Sequence, residues 1–387
     1  MGQFSINANI FWGQNRYPRL KSFLSTNIYK KTIIIVDKAV YKLAIIEEIQ
    51  KIFCNWGYEI EQVFPIKIND EPTYDTLDES VQLFTEVNPD FIIAIGGGSL
   101  IDLAKGISVL LNNPGNGIEY RGMNKVENPS VPLIAFPTTA GTGTEVTWTA
   151  SFIDENEEKK MGINGKNVLP LCGVLEPKLV SSCPSKVAVG AGLDAIVHAV
   201  EAITAKNSTQ ITKALGANAF ELIFKFLPIA LKNKDNYDAW GQVQLGAALA
   251  GIAMMNAGGG PASGVSYPVG VLYGVPHGIA GGIFLRGVFE QNIKKGYMGY
   301  SILFDMINNS NYEKLSENEK SLEFLTLFND FYKKIGAPKT LNEWGIDSIS
   351  DVEKLVKITM SQRIENLELN PVSYGENDLT SLLKGII

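Results

Sequence analysis

An aspartate and a histidine stand four residues apart, at Asp194 and His198, within the stretch Gly-Leu-Asp-Ala-Ile-Val-His-Ala-Val-Glu. On a helix this spacing places both side chains on one face. A carboxylate and an imidazole are ordinary ligands of divalent metals, although the same pair can equally form a simple hydrogen bond. The chain has two histidines, and the second, His277, opens a predicted helix after a turn-rich segment. One aspartate and two histidines with an open position would form a catalytic metal site.

A glycine-rich turn follows a predicted buried strand at Gly96, Gly97, Gly98 and Ser99. Glycines let the backbone approach a phosphate closely, and the N-terminus of the next helix offers unpaired N–H groups. The stretch matches neither the GxGxxG nor the Walker A pattern, so a tight turn with a serine cap is the alternative. Asp37 ends another predicted strand, where a carboxylate could hold ribose hydroxyls or could simply belong to a turn.

Hydroxyl groups and glycines are concentrated in the loop Pro-Thr-Thr-Ala-Gly-Thr-Gly-Thr-Glu, residues 137–145. They suit hydrogen bonds to a pyrophosphate and to a nicotinamide or a sugar. This loop follows a third buried run, so all three candidate cofactor segments begin where a predicted strand ends.

The elements that must position these residues change in type along the chain. Apolar runs at 32–36, 91–95 and 131–136 read as strands of a parallel sheet, because helical patterns at 40–53 and 73–87 alternate with them. A further strand at 147–153 is followed by a hairpin partner near Lys160. Beyond about residue 180 helical patterns dominate, at 187–205, 208–231, 237–255, 317–335 and 351–362. We therefore predict an α/β domain over 1–182 and an all-helical domain over 183–387.

Composition excludes several functions. The 387 residues carry a net charge of −7 with no basic block, which argues against nucleic acid or an anionic membrane as a partner. The three cysteines, Cys54, Cys172 and Cys183, form no CxxC motif and suit reduced thiols in the cytoplasm. No secretion signal or apolar run of membrane-spanning length is evident.

Taken together, these motifs resemble the iron-containing (group III) alcohol dehydrogenase family, which is related to glycerol dehydrogenases and dehydroquinate synthases. The resemblance covers roughly residues 10–385 and includes Asn256-Ala-Gly and Leu272-Tyr-Gly-Val-Pro-His-Gly. It implies an N-terminal dinucleotide-binding α/β domain, an all-α C-terminal metal and substrate domain, and an active site in the cleft between them. The implied activity is NAD(P)-dependent, metal-assisted oxidation of an alcohol or reduction of an aldehyde, in a homodimer.

The resemblance also assigns cofactor roles. It places the pyrophosphate at the glycine-rich turn and the nicotinamide along the hydroxyl-rich loop. The carboxylate of Asp37 would repel a 2′-phosphate, so NAD is favoured over NADP. Lys160 matches a lysine that faces the cofactor. The cofactor-binding residues implied in this way are Asp37, Gly96, Gly97, Gly98, Ser99, Asp102, Thr138, Thr139, Gly141, Thr142 and Lys160.

The metal site departs from the family pattern at two positions. Asp194, His198 and His277 match three of four ligands, but Ser263 stands where the fourth, a histidine, is expected. Tyr267 replaces a further active-site histidine. One hypothesis retains zinc or iron on three ligands, with Ser263 orienting a water, because zinc is commonly held by three protein ligands and water.

Three other hypotheses stay open. In a metal-free enzyme, Tyr267 or Lys160 would act as the acid. In an enzyme of the dehydroquinate synthase kind, no net oxidation of an external alcohol would occur. In a binding protein there would be no catalysis. Because a tyrosine serves better as an acid than as a base at neutral pH, we expect aldehyde reduction to be the working direction.

Overall fold

The computed structural model describes residues 4–67, 71–84, 86–308, 315–344 and 352–385. The chain divides into two compact units. The α/β unit comprises Ile6–Thr139 and Gly143–Cys183, and the helical unit comprises Met1–Ser5, Ala140–Thr142 and Pro184–Ile387.

Within the described residues, every strand belongs to the α/β unit. They are β1 (Ile10–Phe11), β2 (Lys31–Asp37), β3 (Glu59–Ile66), β4 (Phe91–Gly96), β5 (Gly122–Met123), β6 (Leu133–Pro137), β7 (Thr149–Asp154), β8 (Lys159–Asn164) and β9 (Cys172–Val174). The helices of this unit are α1 (Arg16–Leu24), α2 (Ala44–Asn55), α3 (Tyr74–Val81), α4 (Gly98–Leu110) and α5 (Pro177–Ser181).

Six strands form a parallel sheet in the order β1-β9-β6-β4-β2-β3. The predicted runs 32–36, 91–95 and 131–136 fall on its central strands β2, β4 and β6. Alternate side chains of β2 enter two cores: Ile33 and Ile35 pack with α3 and α4, and Ile34 and Val36 pack with α1 and α2. Burial on both faces explains why these strands are continuously apolar.

The chain order reverses beside β2, because β3 lies on one side of this strand and β4 on the other. Open parallel sheets bind ligands at such a switch point, outside the carboxyl ends of the strands. The sheet thus brings the ends of β2, β4 and β6 to one edge.

A second sheet has the order β5-β8-β7, with β7 and β8 antiparallel. The predicted strand at 147–153 and its hairpin partner beginning near Lys160 correspond to β7 and β8. Strand β7 packs against α4, so it closes one face of the α/β unit.

The helical unit contains α6 (Ser185–Thr204), α7 (Gln210–Lys232), α8 (Tyr237–Ala257), α9 (Pro261–Tyr273), α10 (His277–Lys294), α11 (Ser301–Ile307), α12 (Glu317–Ile335), α13 (Leu341–Trp344), α14 (Val352–Gln362), α15 (Ile364–Leu369) and α16 (Glu376–Lys384). Helix α6 packs on α7, α8 and α10. Helices α6 and α7 are both long and apolar enough to cross a membrane by length and composition, with 83% and 33% of the most apolar window buried within the protein. Such burial identifies α6 as a core helix, whereas α7 has a partly exposed surface.

Several element ends differ from the predictions. The helix predicted over 40–53 begins at Ala44, because residues 38–43 form successive turns, including Leu43 N–H to Val40 C=O. The helix predicted over 73–87 ends at Val81. It is followed by turns in which an N–H bonds to the carbonyl three residues earlier, as from Phe84 to Val81. Residue 85 lies outside the described residues. Residue 351, the predicted start of a helix, also lies outside them, and α14 is described from Val352.

Candidate metal centre and dinucleotide site

Two glycines bring the predicted metal ligands together. A Cβ atom on Gly278 would lie 2.2 Å from the Gly190 carbonyl oxygen and 2.8 Å from the Asp194 Cβ. Helices α6 and α10 therefore meet with their backbones in direct contact. This contact places His277, the first residue of α10, beside Asp194 and His198 on α6.

The Asp194 carboxylate lies between the two imidazoles. Its Oδ1 atom is 3.6 Å from Nε2 of His198 and 3.7 Å from Nε2 of His277. Both distances exceed a hydrogen bond, so the simple Asp–His hydrogen bond considered from the sequence is not formed. The three donor atoms lie within 4.8 Å of one another, and their side chains are 6–14% exposed.

This donor set fits a divalent ion. A carboxylate with two imidazoles is a common set for catalytic zinc and for non-haem iron(II), and it leaves coordination positions open. Within the residues that the structure describes, this is the one cluster of three such side chains whose donor atoms converge.

Ser263 forms two hydrogen bonds with Glu201. It is fully buried on α9, where its hydroxyl donates to Oε2 of Glu201 at 2.5 Å and its backbone N–H donates to Oε1 at 3.0 Å. Burial raises the pKa of Glu201, and the two bonds from Ser263 act in the opposite direction. Glu201 was not assigned a role from the sequence, although it lies seven residues after Asp194 and so on the same face of α6.

Tyr267 lies directly beside the cluster. Its ring centroid is 4.3 Å from that of His277, and the Arg363 guanidinium carbon lies 3.9 Å from the Tyr267 ring centroid. The phenol ring thus contacts both an imidazole and a cation. Nothing in the sequence indicated Arg363, because it comes from the break between α14 and α15, far along the chain.

The predicted phosphate loop lies at the switch point of the sheet. Val36 pairs with Ile95, and Gly96 pairs with Pro137, so the ends of β2, β4 and β6 are adjacent. Helix α4 begins at Gly98, and its N-cap residue Gly97 has no side chain that could cap the N-terminus. A Cβ atom on Gly97 would touch only Thr139, at an ordinary 3.6 Å. Packing therefore does not demand glycine at this position, and the space before the helix is suited to a phosphate.

The other residues predicted to bind the cofactor lie at the end of β2 and in the loop after β6. At the end of β2, Asp37 is half-buried and its Oδ1 accepts the N–H of Ala39 at 2.9 Å. Thr138 is buried, and its N–H donates to the Gly96 carbonyl. The exposed Thr142 and its neighbour Gly141 belong to the helical unit, whereas Thr138 and Thr139 belong to the α/β unit.

Asp102 and Lys160 form bonds within the α/β unit. The Asp102 carboxylate accepts the Thr144 hydroxyl and, at 3.0 Å, the Ser151 N–H, so it holds α4 to β7. Burial raises the pKa of Asp102. The Lys160 ammonium pairs with the Glu71 carboxylate. The structure therefore shows protein partners for two residues that the resemblance assigned to the cofactor.

Comparisons with known proteins cover both units. The model of the family "iron-containing alcohol dehydrogenase" matches residues 7–177, and that of "Fe-containing alcohol dehydrogenase family, C-terminal" matches residues 188–387. An NAD-dependent methanol dehydrogenase of Bacillus methanolicus is 31% identical over 360 residues, which is 92% of each chain. Lactaldehyde reductase of Escherichia coli K12 is 28% identical over 292 residues, 74% of this chain and 75% of the relative.

Solved structures share the whole fold. A 1,3-propanediol oxidoreductase superimposes with a TM-score of 0.91 at 24% identity, covering 100% of both chains. A sulfoacetaldehyde reductase from Bifidobacterium kashiwanohense, solved with NAD⁺, gives 0.84 at 23% identity over 100% of this chain and 98% of that chain. The predicted order of a parallel α/β domain followed by a helical domain is confirmed.

Proposed function

The chain belongs to the iron-containing alcohol dehydrogenase family, and we propose that it reduces an aldehyde, or oxidises the matching alcohol, with NAD and a divalent metal. It is an oxidoreductase of the alcohol dehydrogenase type. The observation that supports the metal is the convergence of Asp194, His198 and His277, of which the first two are buried and the third is partly buried.

The metal ligands suit Lewis-acid chemistry. A divalent ion bound there supplies polarisation of the substrate oxygen. Asp194 brings a single negative charge and neutral histidines bring none, so the ligands leave a net positive charge for that task. We propose zinc or iron(II), since both accept this donor set.

The α/β unit suits NAD. The dinucleotide, when bound, supplies or accepts the hydride. The N-terminus of α4 would hold its pyrophosphate through backbone N–H groups, with Gly97 leaving room for close approach. The Asp37 carboxylate would accept ribose hydroxyls and would repel a 2′-phosphate, which favours NAD over NADP.

A proton must reach the substrate oxygen when an aldehyde is reduced. We propose Tyr267 as its donor, because the phenol lies next to His277. Lys160 is the alternative acid, but its ammonium already pairs with Glu71. A Tyr267→Phe variant should therefore lose turnover while binding NADH normally, and Lys160→Met should chiefly weaken NADH binding.

The test begins with a titration of the protein with NADH, in which nicotinamide fluorescence reports binding. It continues with measurements of NADH oxidation across a panel of short aldehydes. The proposal expects binding and turnover that a chelator abolishes and zinc or iron(II) restores. Turnover that survives metal removal would favour the metal-free hypothesis. Bound NAD without turnover of any alcohol or aldehyde would favour a synthase-like reaction, and absence of both would favour a binding protein.

We further propose a cytoplasmic homodimer that acts on small molecules rather than on nucleic acid or membranes. Cys54, Cys172 and Cys183 form no disulfide within the described part of the chain, as suits a reducing compartment. The net charge of −7 disfavours polyanionic partners. Light scattering of the purified protein tests the dimer.

A further inference from the structure

Ser266 contacts His277, one of the three candidate metal ligands. It is fully buried on α9, and its hydroxyl oxygen lies 2.8 Å from the Ser263 carbonyl oxygen and 2.8 Å from Nδ1 of His277. The family resemblance assigns no role to this residue.

The direction of these two bonds follows from the donors available. A serine hydroxyl has one proton, and a carbonyl oxygen can only accept. Ser266 therefore donates to Ser263, and towards His277 its oxygen acts as the acceptor. Nδ1 of His277 must carry a hydrogen, so the neutral imidazole presents an unprotonated Nε2. That nitrogen is the atom 3.7 Å from Asp194.

The second histidine of the cluster provides a contrast. Nδ1 of His198 is buried and has no hydrogen-bond partner within the described part of the chain. Histidines that bind metals ordinarily donate their other N–H to a fixed acceptor, which sets both the tautomer and the ring orientation.

We propose that Ser266 is a positioning residue that holds His277 ready to bind a metal ion through Nε2. Its support extends to Glu201, because the carboxylate that binds Ser263 fixes the turn of α9 whose carbonyl receives the Ser266 proton. The site has Ser263 where a fourth ligand is expected. The same helix, α9, supplies Ser266, whose contact would orient the ligand His277. This inference rests on the metal-dependent function proposed above.

The test compares Ser266→Ala with two controls in the full-length protein. Ser266→Thr keeps a hydroxyl at the same position. Ser321→Ala is a matched loss elsewhere in the helical unit, since Ser321 is also fully buried and its hydroxyl donates to the Met298 carbonyl at 2.7 Å. Zinc affinity is measured by competition with a chelator, and the Co²⁺ absorption spectrum reports ligand geometry.

Ser266→Ala should weaken zinc binding by about 10- to 100-fold and alter the Co²⁺ spectrum, whereas Ser266→Thr and Ser321→Ala keep both. Nitrogen NMR of the metal-free protein adds a direct readout, because only two histidines contribute. It should show the Nδ1–H tautomer of His277 in the wild type and its loss in Ser266→Ala.

Equal zinc affinity in wild type and Ser266→Ala, or a wild-type His277 without hydrogen on Nδ1, would overturn the inference while leaving the metal site intact. A wild type that binds neither zinc nor Co²⁺ would overturn the proposed function as well. If Ser266→Ala fails to fold, the tautomer of the wild-type protein still decides the question.

Discussion

The contact between α6 and α10 gives a quantitative prediction for Gly278→Ala. The new methyl carbon would lie 2.2 Å from the Gly190 carbonyl oxygen, whereas such atoms ordinarily approach to about 3.3 Å. Helix α10 must therefore move by about 1 Å relative to α6. Since metal sites tolerate ligand displacements of only about 0.2 Å, His277 should no longer converge with Asp194. We expect a loss of about 1–3 kcal/mol in folding free energy from overpacking.

The assay measures zinc affinity and thermal unfolding for this variant beside Gly281→Ala. Gly281 lies on the same helix, and a Cβ atom there would meet Val197 at an ordinary 3.5 Å. Gly278→Ala should lose more than about tenfold in zinc affinity, while Gly281→Ala should resemble the wild type. Unchanged affinity in Gly278→Ala would refute the argument that backbone contact at this crossing assembles the cluster.

Two further predictions concern the α/β unit. Gly97→Ala should leave the melting temperature unchanged, because the new methyl group would meet only Thr139, at 3.6 Å. It should weaken NADH binding measured by fluorescence, because the methyl group occupies the space before α4. Normal NADH affinity would contradict the assignment of the phosphate site. Burial raises the pKa of Glu145 from 4.5 to about 7, so its contribution to stability is fully present below pH 4.5 and is lost as pH rises through 7. Glu145→Gln should flatten that part of the stability profile in urea unfolding, and an unchanged profile would assign the dependence to other groups.

The hydrophobic periodicity and the β-branched runs in the sequence are sufficient to predict the central strands and helices of the fold. The strands β2, β4 and β6 are apolar throughout because both faces are buried, and this pattern is visible in the sequence. The strands β1 and β9 were not predicted, since two or three residues are too few to show a period. Helix α9 was also not predicted, because Pro268 stands inside it and proline is unfavourable in a helix interior.

The candidate site was only partly predictable. The cluster of Asp194, His198 and His277 could be predicted, because the first two share a helical spacing and histidine is rare in this chain. The partners that hold them could not. Ser266 is one serine among many, and only the packing of α9 against α10 places it on His277.

The bonding partner of Ser263, which stands at the position of the expected fourth ligand, could not be predicted from the sequence. The expected role was to orient a water near the metal. In the structure its hydroxyl donates to Glu201 on α6, a partner that the sequence did not indicate. Such a bond depends on the distance between α6 and α9, which no local pattern encodes.

The most direct test of a three-ligand metal centre is the metal content of the purified protein, measured together with NADH-dependent aldehyde reduction, for wild type and Asp194→Ala. A three-ligand metal centre predicts that the wild type holds zinc or iron and loses its turnover when a chelator removes the metal. It predicts that Asp194→Ala retains neither metal nor turnover, although it still binds NADH. Full turnover by a wild-type protein that contains no metal would contradict it.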